Sequence, residues 1–253
     1  MTAVTVVGTG AIGGAVASTL RGGGIPGCTL LAAVNSRSRP DQITAAVEDA
    51  DVVVEATRTT AAAALIRLAV PAGTDIVLCS AGVLADPSAA DLATGPGRIL
   101  LPAGAIGGLD ILSAAARAGG ADVAASHTTV KRPGALGLPG LTGAPVEVFR
   151  GSAREAARRY PRTCNSSVTL ALATVGLDRL EVVVVADPAA TDTVHRVTCT
   201  SPIGDYRFQF RNAVDESSSG RTSLVTVWSV LQTLAGLHRG FGTGVLVGAG
   251  APS

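Results

Sequence analysis

Apolar and polar positions follow two alternating periods along the first 107 residues. Short β-branched runs predict strands, and the segments between them carry small and apolar residues at helical spacing. Several of the predicted strands are apolar throughout, as expected when helices cover both faces of a parallel sheet. The pattern therefore predicts an α/β domain built on a doubly wound parallel sheet with five strands, AVTVVG, TLLAAV, DVVVEAT, DIVLCSAG and RILLPAG. The helix TAAAALIRLAVPAG is expected to stop at Pro71 and Gly73.

The pattern changes after Gly107, where helices and consecutive strands are mixed. A Gly/Pro-rich segment from Pro133 to Pro145 interrupts it and predicts a loop. This order favours a second, mixed α+β domain over residues 108–220, with a C-terminal helix in 221–253 that packs back on the first domain, 1–107. The predicted strands are ADVAASHTTVKRP, LEVVVVADP, TVHRVTCTS and YRFQFRNAV, and the predicted helices are GLDILSAAARAG, SAREAARRYP, NSSVTLALATVG and RTSLVTVWSVLQTLAGL.

Composition excludes several classes of protein. With 47% hydrophobic and 15% charged residues, the 253-residue chain is globular and long enough to bury a core. A net charge of +1 and an aromatic content of 3% argue against a nucleic-acid or membrane-surface binder. The apolar run DIVLCSAGVLADP is too short to span a bilayer, and no basic region precedes the first apolar run, so no signal peptide is expected.

The four cysteines predict neither a metal site nor a disulfide framework. Cys28, Cys79, Cys164 and Cys199 show no CxxC spacing and no neighbouring histidine in a ligand pattern. We therefore expect buried free thiols in a protein of the reducing cytoplasm.

The first strand leads directly into a glycine motif. Gly8, Gly10 and Gly13 form G-x-G-x-x-G between a predicted strand and a predicted helix. In that context the glycines permit a tight turn, the approach of a pyrophosphate and close helix–strand packing, while the helix N-terminus favours phosphate charge. The first domain is therefore predicted to be a Rossmann-type dinucleotide-binding domain.

The end of the second strand indicates which dinucleotide binds. An acidic residue that reads the ribose 2′-hydroxyl of NAD is expected there, but the sequence has Asn35, Ser36 and Arg37, followed by Arg39. An acid would repel a 2′-phosphate, whereas amide, hydroxyl and guanidinium groups can bind it. We expect NADP to be preferred, with NAD possible. The alternative is that the arginines form a solvated loop face.

Longer motifs resemble one enzyme family from end to end. They are VEATRTTAA, CSAGVLAD, LPAGAIGGLDIL, HTTVKRPGAL, REAARRYPRTCNSSVTLALATVGLDR, VVVADPAATDTVHRV and GRTSLVTVWSVLQTL, in this order. Together they resemble the L-aspartate dehydrogenase family. The resemblance implies a Rossmann domain plus a mixed α/β domain that carries the substrate site and the oligomer contacts. It also implies oxidation of aspartate to iminosuccinate, with release of ammonia and oxaloacetate, or the reverse reaction.

The same resemblance assigns site residues. It implies that His195 is the catalytic histidine, that Lys131 contacts a substrate carboxylate, and that Asn165 belongs to the catalytic set. A histidine suits proton transfer near neutral pH. Arg132 and Arg221 are the next candidates after Lys131 for a cation that binds the substrate. The alternative for each of the three is a charge on the protein surface. Cofactor contacts are implied at Gly8, Gly10, Ala11, Ile12, Gly13, Asn35, Ser36, Arg37, Ala56, Thr57, Ala81 and Gly82.

The sequence departs from the family pattern near the expected pocket, which keeps alternatives open. The departures are Thr163, Ser166, Ser167, Thr193 and the segment Ser219–Ser223. One alternative is a related amino-acid or imine dehydrogenase with another substrate. Another is a catalytically silent NADP-binding sensor. In each case the partner is a small molecule, and we expect a homodimer.

The two remaining histidines are expected to be structural. His127 lies in a predicted strand and is expected to pack or to support the site from behind, and His238 is expected to interact with a helix C-terminus. No pair of neighbouring histidines occurs in a loop, which disfavours reductases such as dihydrodipicolinate reductase.

Overall fold

The computed structural model describes residues 1–215 and 222–239, which divide into two compact units. The first unit comprises Met1–Ser80, Ala90–Pro102 and, within the described residues, 227–239. The second unit comprises Ala81–Ala89 and Ala103–Thr226. The second unit thus takes in a short segment that follows the fourth strand.

Within its described residues, the first unit contains one parallel five-stranded sheet with helices between the strands. The strand order is β2-β1-β3-β4-β5, so the order reverses between β1 and β3. Its elements are β1 Thr2–Val7, α1 Ala11–Arg21, β2 Cys28–Val34, α2 Pro40–Glu48, β3 Val52–Glu55, α3 Thr59–Ala72, β4 Asp75–Leu78 and β5 Ile99–Leu100.

The C-terminal helix α7, Val225–Arg239, contributes to the core of the first unit. Its Val230, Leu231 and Leu234 join the buried cluster that includes Val4 of β1 and Val16 of α1. His238, in its last turn, hydrogen-bonds the hydroxyl of Thr2 through Nδ1 at 3.1 Å. The hydrophobic effect therefore attaches this distant segment of the chain to the sheet.

Within its described residues, the second unit contains a mixed sheet of five strands in the order β10-β9-β6-β8-β7. Strands β6 and β8 run parallel, and the other neighbours are antiparallel. Its elements are α4 Leu109–Gly119, β6 Ala124–Lys131, β7 Val146–Ser152, α5 Ala153–Arg159, α6 Asn165–Ala173, β8 Glu181–Ala186, β9 Thr193–Ser201 and β10 Gly204–Asn212.

The two faces of the second sheet differ in polarity and burial. His127, Thr129 and Lys131 alternate along β6, so they share one face, and all three are buried. His195 lies directly opposite Thr129 in the antiparallel pairing of β6 with β9 and is buried on the same face. The opposite face carries hydroxyl side chains that are half-buried, such as Ser126, or exposed, such as Thr198 and Thr200. One buried face therefore holds an unusual number of polar groups for a core.

Both units confirm the predicted fold class, a doubly wound parallel sheet plus a mixed α+β unit. Three details of the prediction were wrong. The helix α3 continues through Pro71 and ends at Gly73, whose φ of 86° gives a left-handed C-terminus. The strand β7 was missed because its apolar residues are few and irregularly spaced, and none of its residues VEVFRGS is fully buried. The strand β5 spans only Ile99 and Leu100.

The four cysteines are free in the structure, and Cys28, Cys164 and Cys199 are buried. None of the helices within residues 1–215 and 222–239 combines the length and apolarity that crossing a membrane requires.

Candidate functional site

The point where the strand order reverses gathers the predicted cofactor residues of the first unit. In open α/β sheets, ligands bind outside the carboxyl ends of the strands at this point. The loop after β1 begins at Gly8, and the loop after β3 begins at Ala56, whose backbone N–H donates to Val7 O at 2.9 Å. A Cβ on Gly8, which has φ 101°, would lie 2.3 Å from Ala56 O. The two loops therefore touch, and only glycine permits it.

The other two glycines of the motif have different environments. A Cβ on Gly13 would lie 1.8 Å from Gly8 O, so this glycine lets the helix α1 approach the loop. A Cβ on Gly10 would meet no atom within 4 Å. Gly10 precedes Ala11 at the start of α1, and having no side chain it cannot cap the helix. The first turn carries no acidic residue, so its N–H groups and helix dipole suit a phosphate group.

Asn35 joins the end of β2 to the glycine loop. Its Nδ2 donates to Thr9 Oγ1 at 2.9 Å, and its Oδ1 accepts from the backbone N–H of Arg37 at 2.9 Å. Ser38 Oγ accepts from the N–H of Asn35 at 3.1 Å. The side chain of Asn35 therefore shapes the loop that presents Ser36 and Arg37.

The two arginines of this loop have different partners. Arg39 forms a bidentate ion pair with Asp41, with Nη2 and Oδ2 2.6 Å apart. Arg37 is exposed and has no carboxylate within 4.0 Å among the described residues. Of the predicted pair, Arg37 is therefore the arginine whose charge is available to an anion.

A buried carboxylate lies at the end of β3, and sequence reasoning missed it. Glu55 is fully buried, and its two oxygens accept four hydrogen bonds. The donors are Thr57 N at 2.7 Å, Thr57 Oγ1 at 2.6 Å, Ser80 N at 2.8 Å and Ser80 Oγ at 2.9 Å. Burial, with a smaller effect from Glu55, raises the pKa of Cys79. Glu55 thereby fixes Thr57, a predicted cofactor residue, to the end of β4.

The second unit brings together two histidines that are 68 positions apart. His127 Nε2 and His195 Nδ1 lie 3.0 Å apart, and His127 Nδ1 lies 2.9 Å from the hydroxyl of Ser167. The rings are nearly parallel, with an interplanar angle of 24°. Within the part of the chain that the structure describes, the buried His195 Nε2 has no hydrogen-bond partner. Of the four ring nitrogens, His195 Nε2 is therefore the one that can form a hydrogen bond with a ligand.

Burial keeps both imidazoles neutral. It lowers the pKa of His127 to about 4, with a smaller contribution from the charge of Lys131. It also lowers the pKa of His195 well below its ordinary value, with further lowering by His127 and Lys131. Desolvation disfavours the charged form of an imidazole, so His195 holds a lone pair at neutral pH.

Lys131 is the only lysine of the chain and is buried beside the histidines. Burial lowers its pKa to about 8, an effect that Cys164 partly offsets. Burial raises the pKa of Cys164 to about 11, against the opposing effects of Lys131, Thr163 and Ser167. The backbone N–H of Asp187 donates to Lys131 O at 2.9 Å and ties the end of β6 to the turn after β8.

A second unpaired polar atom lies opposite His195. Thr129 Oγ1 is buried and has no hydrogen-bond partner within residues 1–215 and 222–239. Directly opposed side chains of an antiparallel pair lie about 5 Å apart at Cβ. A buried polar atom without a partner is costly, so this pair of open atoms indicates a place for a polar ligand.

Asn165 is placed close to two predicted cofactor residues of the second unit. It is the first residue of α6, and its Oδ1 accepts from the backbone N–H of Gly82 at 2.9 Å. Gly82 and Ala81 lie in a short 3₁₀ helix, Ala81–Ala85. The side chain of Asn165 therefore anchors this segment through its amide oxygen.

Two further residues singled out in the sequence have no place in these clusters as described. Arg221 lies outside the described residues. His238 is exposed in the last turn of α7.

Two more residues of the site were not predicted to act in it, and a third, His127, was predicted only in a general way. Ser167 appears in the sequence only as a departure from a family pattern, and Thr129 as one residue of a strand. His127 was expected to pack or to support the site. No pattern in the sequence could reveal that β6, β9 and α6 bring these side chains together, because the contacts span 40 and 68 positions.

Comparisons with known proteins show the family to which the chain is similar. The family described as "Aspartate dehydrogenase, C-terminal" matches residues 110–237. The chain is similar to L-aspartate dehydrogenase 2 of Bordetella pertussis, with 38% identity over 195 residues that cover 73% of each chain. It is also similar to L-aspartate dehydrogenase of Bradyrhizobium diazoefficiens, with 33% identity over 262 residues, covering 91% of this chain and 90% of that one.

A solved structure extends the similarity to the fold. The crystal structure of aspartate dehydrogenase from Thermotoga maritima matches with a TM-score of 0.72 and 26% sequence identity. The match covers 98% of this chain and 100% of that chain. These similarities confirm the resemblance that the sequence motifs indicated.

The network around Glu55 generates a prediction about stability. Replacing Glu55 by Gln keeps the shape but turns one acceptor into a donor that faces N–H and O–H groups. We expect Glu55→Gln to lower the free energy of unfolding by about 3 kcal/mol, since a buried donor is left unsatisfied. Urea denaturation at neutral pH measures this. The control Glu48→Gln changes an exposed carboxylate at the end of α2 and should stay within about 0.5 kcal/mol of the parent. Equal effects of both variants would contradict the prediction.

Proposed function

The chain belongs to the aspartate dehydrogenase family, and from this premise we propose that it oxidises L-aspartate to iminosuccinate, or runs the reverse reaction, with a nicotinamide cofactor. NADP is the preferred cofactor, and NAD is a second possible one. The second unit carries the substrate site, and the first unit carries the dinucleotide.

One observation within the chain carries this proposal. His195 Nε2 and Thr129 Oγ1 are buried polar atoms without a partner among the described residues, and both lie on the face of β6 and β9 that also holds Lys131. A small ligand with several polar groups would satisfy both atoms. An amino dicarboxylate has such groups, and its negative charge matches the ammonium group of Lys131.

His195 acts as the proton acceptor and donor of the reaction. Amine oxidation requires the amine to lose a proton and water to add to the resulting imine. The lone pair on Nε2 of the neutral imidazole can accept these protons. A bound dicarboxylate favours the charged imidazolium, because its negative charge opposes the effects of burial and Lys131 that lower the pKa of His195. Substrate binding thus brings the base closer to its working range.

The residues of the first unit fit a dinucleotide. Gly10 leaves space for a pyrophosphate beside the N-terminus of α1, and Ala11, Ile12 and Gly13 are the first residues of that helix. When bound, the nicotinamide supplies or accepts the hydride. Asn35 supports the loop that carries Ser36 and Arg37, whose hydroxyl and guanidinium groups suit a 2′-phosphate. Glu55 holds Thr57 through hydrogen bonds, and Asn165 holds Gly82 in the same way. Together with their neighbours Ala56 and Ala81, these are the remaining proposed cofactor contacts.

We further propose that the enzyme works as a homodimer in the cytoplasm. Its free and mostly buried cysteines fit a reducing compartment. The apolar strand β8 lies between β6 and β7 and is largely buried within its own sheet. The hydroxyl face of the same sheet, which includes the exposed Thr198 and Thr200 and the half-buried Ser126, is the surface that we expect a second copy to cover.

A turnover assay tests the proposed function. Protein mixed with oxaloacetate, ammonia and NADPH should consume the reduced cofactor, which is followed by its absorbance. We expect His195→Ala to lower kcat by about 10²- to 10⁴-fold, because a positioned proton donor and acceptor is lost. Turnover with another keto acid but not with oxaloacetate would contradict aspartate as the substrate. Cofactor binding without turnover on any keto acid would indicate a sensor.

The available charge of Arg37 predicts the cofactor preference. Arg37→Ala should raise KM for NADPH about tenfold and leave KM for NADH unchanged, since one charge-assisted hydrogen bond to the 2′-phosphate is worth roughly that factor. Steady-state kinetics with both cofactors measures the ratio. The matched control is Arg39→Ala, because Asp41 already neutralises Arg39. An unchanged ratio in Arg37→Ala would leave Arg39, or neither arginine, as the group that contacts the phosphate.

The lowered pKa of Lys131 predicts how binding of a dicarboxylate depends on pH. Lys131 is charged below its pKa of about 8 and neutral above it, so binding should weaken by up to about tenfold per pH unit above that value. Malonate is a suitable probe because it has no amine and stays doubly ionised above neutral pH. Its inhibition constant is measured against pH. NMR of the single labelled lysine reports the pKa directly.

Two variants of the same position complete this test. Lys131→Arg keeps its charge at high pH and should remove the pH dependence. Lys131→Met should weaken malonate by roughly 10- to 100-fold at pH 7, and by progressively less above pH 8, where Lys131 itself is neutral. Malonate binding unchanged in Lys131→Met would show that this lysine does not bind the carboxylate.

A further inference from the structure

We propose that His127 and Ser167 are positioning residues that hold His195 with its ring proton on Nδ1, so that Nε2 presents its lone pair to the substrate. This inference rests on the proposed function, in which His195 is the base. It adds two residues to the reaction that act through His195 and do not touch the substrate themselves.

The hydrogen bonds allow two arrangements of protons. A neutral imidazole has one N–H and one lone pair, so the 3.0 Å contact between His127 Nε2 and His195 Nδ1 contains one proton. If His195 donates, His127 must carry its own proton on Nδ1 and donate it to Ser167 Oγ at 2.9 Å. If His127 donates, His195 carries its proton on Nε2. The position of this one proton therefore determines whether His195 Nε2 carries a lone pair or an N–H group.

The surroundings of Nε2 favour the first arrangement. Nε2 is buried without an acceptor among the described residues, and a buried N–H group without an acceptor is rarely found in proteins. A hydroxyl oxygen carries two lone pairs, so Ser167 Oγ can accept from His127 Nδ1.

The titratable groups that face this pair come from two elements. Strand β6 contributes Lys131, and α6 is preceded by Cys164, which lies against Ser167 and near Lys131. Opposite His195 on β10 is Phe210, which has no proton to exchange. Apart from the histidines themselves, Lys131 and Cys164 are thus the groups able to alter the pH response of the pair among the described residues.

Nitrogen NMR of the full-length chain tests the tautomer without activity. The chain has three histidines, so ¹⁵N-labelled His195 can be assigned by comparison with His195→Asn. We expect a protonated Nδ1 and an unprotonated Nε2 in the wild type. In His127→Phe, which keeps a ring but removes both hydrogen bonds, the proton should redistribute toward Nε2. A wild-type proton on Nε2 would overturn the proposal.

Kinetics of matched variants separate positioning from packing. His127→Phe should lower kcat by about 10²-fold with little change in KM for the keto acid, since the base is in the wrong form. His127→Gln offers an amide oxygen to His195 Nδ1 and should recover at least about tenfold of that loss. Ser167→Ala should lower kcat less than His127→Phe. The control Ser126→Ala removes a neighbouring hydroxyl on the opposite face of β6, where it contacts Thr198, and should match the wild type.

The outcomes distinguish this proposal from the proposed function. If His127→Phe does not fold, the proposal is still tested by the wild-type tautomer and by the kcat values of His127→Gln and Ser167→Ala. A wild-type kcat in both His127→Phe and His127→Gln would overturn the positioning role. If no keto acid is reduced but the tautomer is as expected, the proposed function fails and the tautomer assignment stands. If oxaloacetate is reduced while His195 carries its proton on Nε2, the proposed function stands and the positioning proposal fails.

Discussion

The contact between two buried imidazoles is the interaction on which the second unit's chemistry depends. It joins neighbouring strands, β6 and β9, on the face that forms the core. A polar group in such a place must find a partner or meet a large desolvation cost. His127 satisfies both of its ring nitrogens, whereas His195 satisfies only one. The imbalance leaves a single open nitrogen in an otherwise paired network, and burial keeps that nitrogen uncharged.

The first unit also buries a polar group, the carboxylate of Glu55, and satisfies it with hydrogen bonds. Glu55 follows three buried valines of β3 and accepts four hydrogen bonds from two short polar residues. These bonds hold the carboxyl ends of β3 and β4 in place, next to the glycine loop at the reversal of strand order. In both units, buried apolar strands provide the stability, and one small polar network holds the functional side chains in position.

The departures from the family pattern acquire a physical meaning in the structure. The hydroxyl of Ser167 lies 2.9 Å from His127 Nδ1 behind the histidine pair, where an apolar residue could form no hydrogen bond. Thr193 begins β9 and is buried. Thr163 contributes to the polar environment of Cys164. Of these differences, Ser167 therefore concerns the support of the histidine pair, and Thr163 acts on Cys164 beside it.

The fold class follows from the sequence alone, because the period of apolar residues and the glycine turn are local properties of the chain. The sequence also identifies Gly8, Gly10 and Gly13 in their strand–turn–helix context, and its motifs lead to the family. Three-dimensional contacts were needed to show that His127 and Thr129 lie beside His195 with Ser167 behind His127, that Glu55 anchors Thr57, and that Arg39 is neutralised while Arg37 is not. These facts depend on strand order, register and side-chain partners. Hydrophobic periodicity specifies which face of a strand is buried, but it does not specify which strands become neighbours.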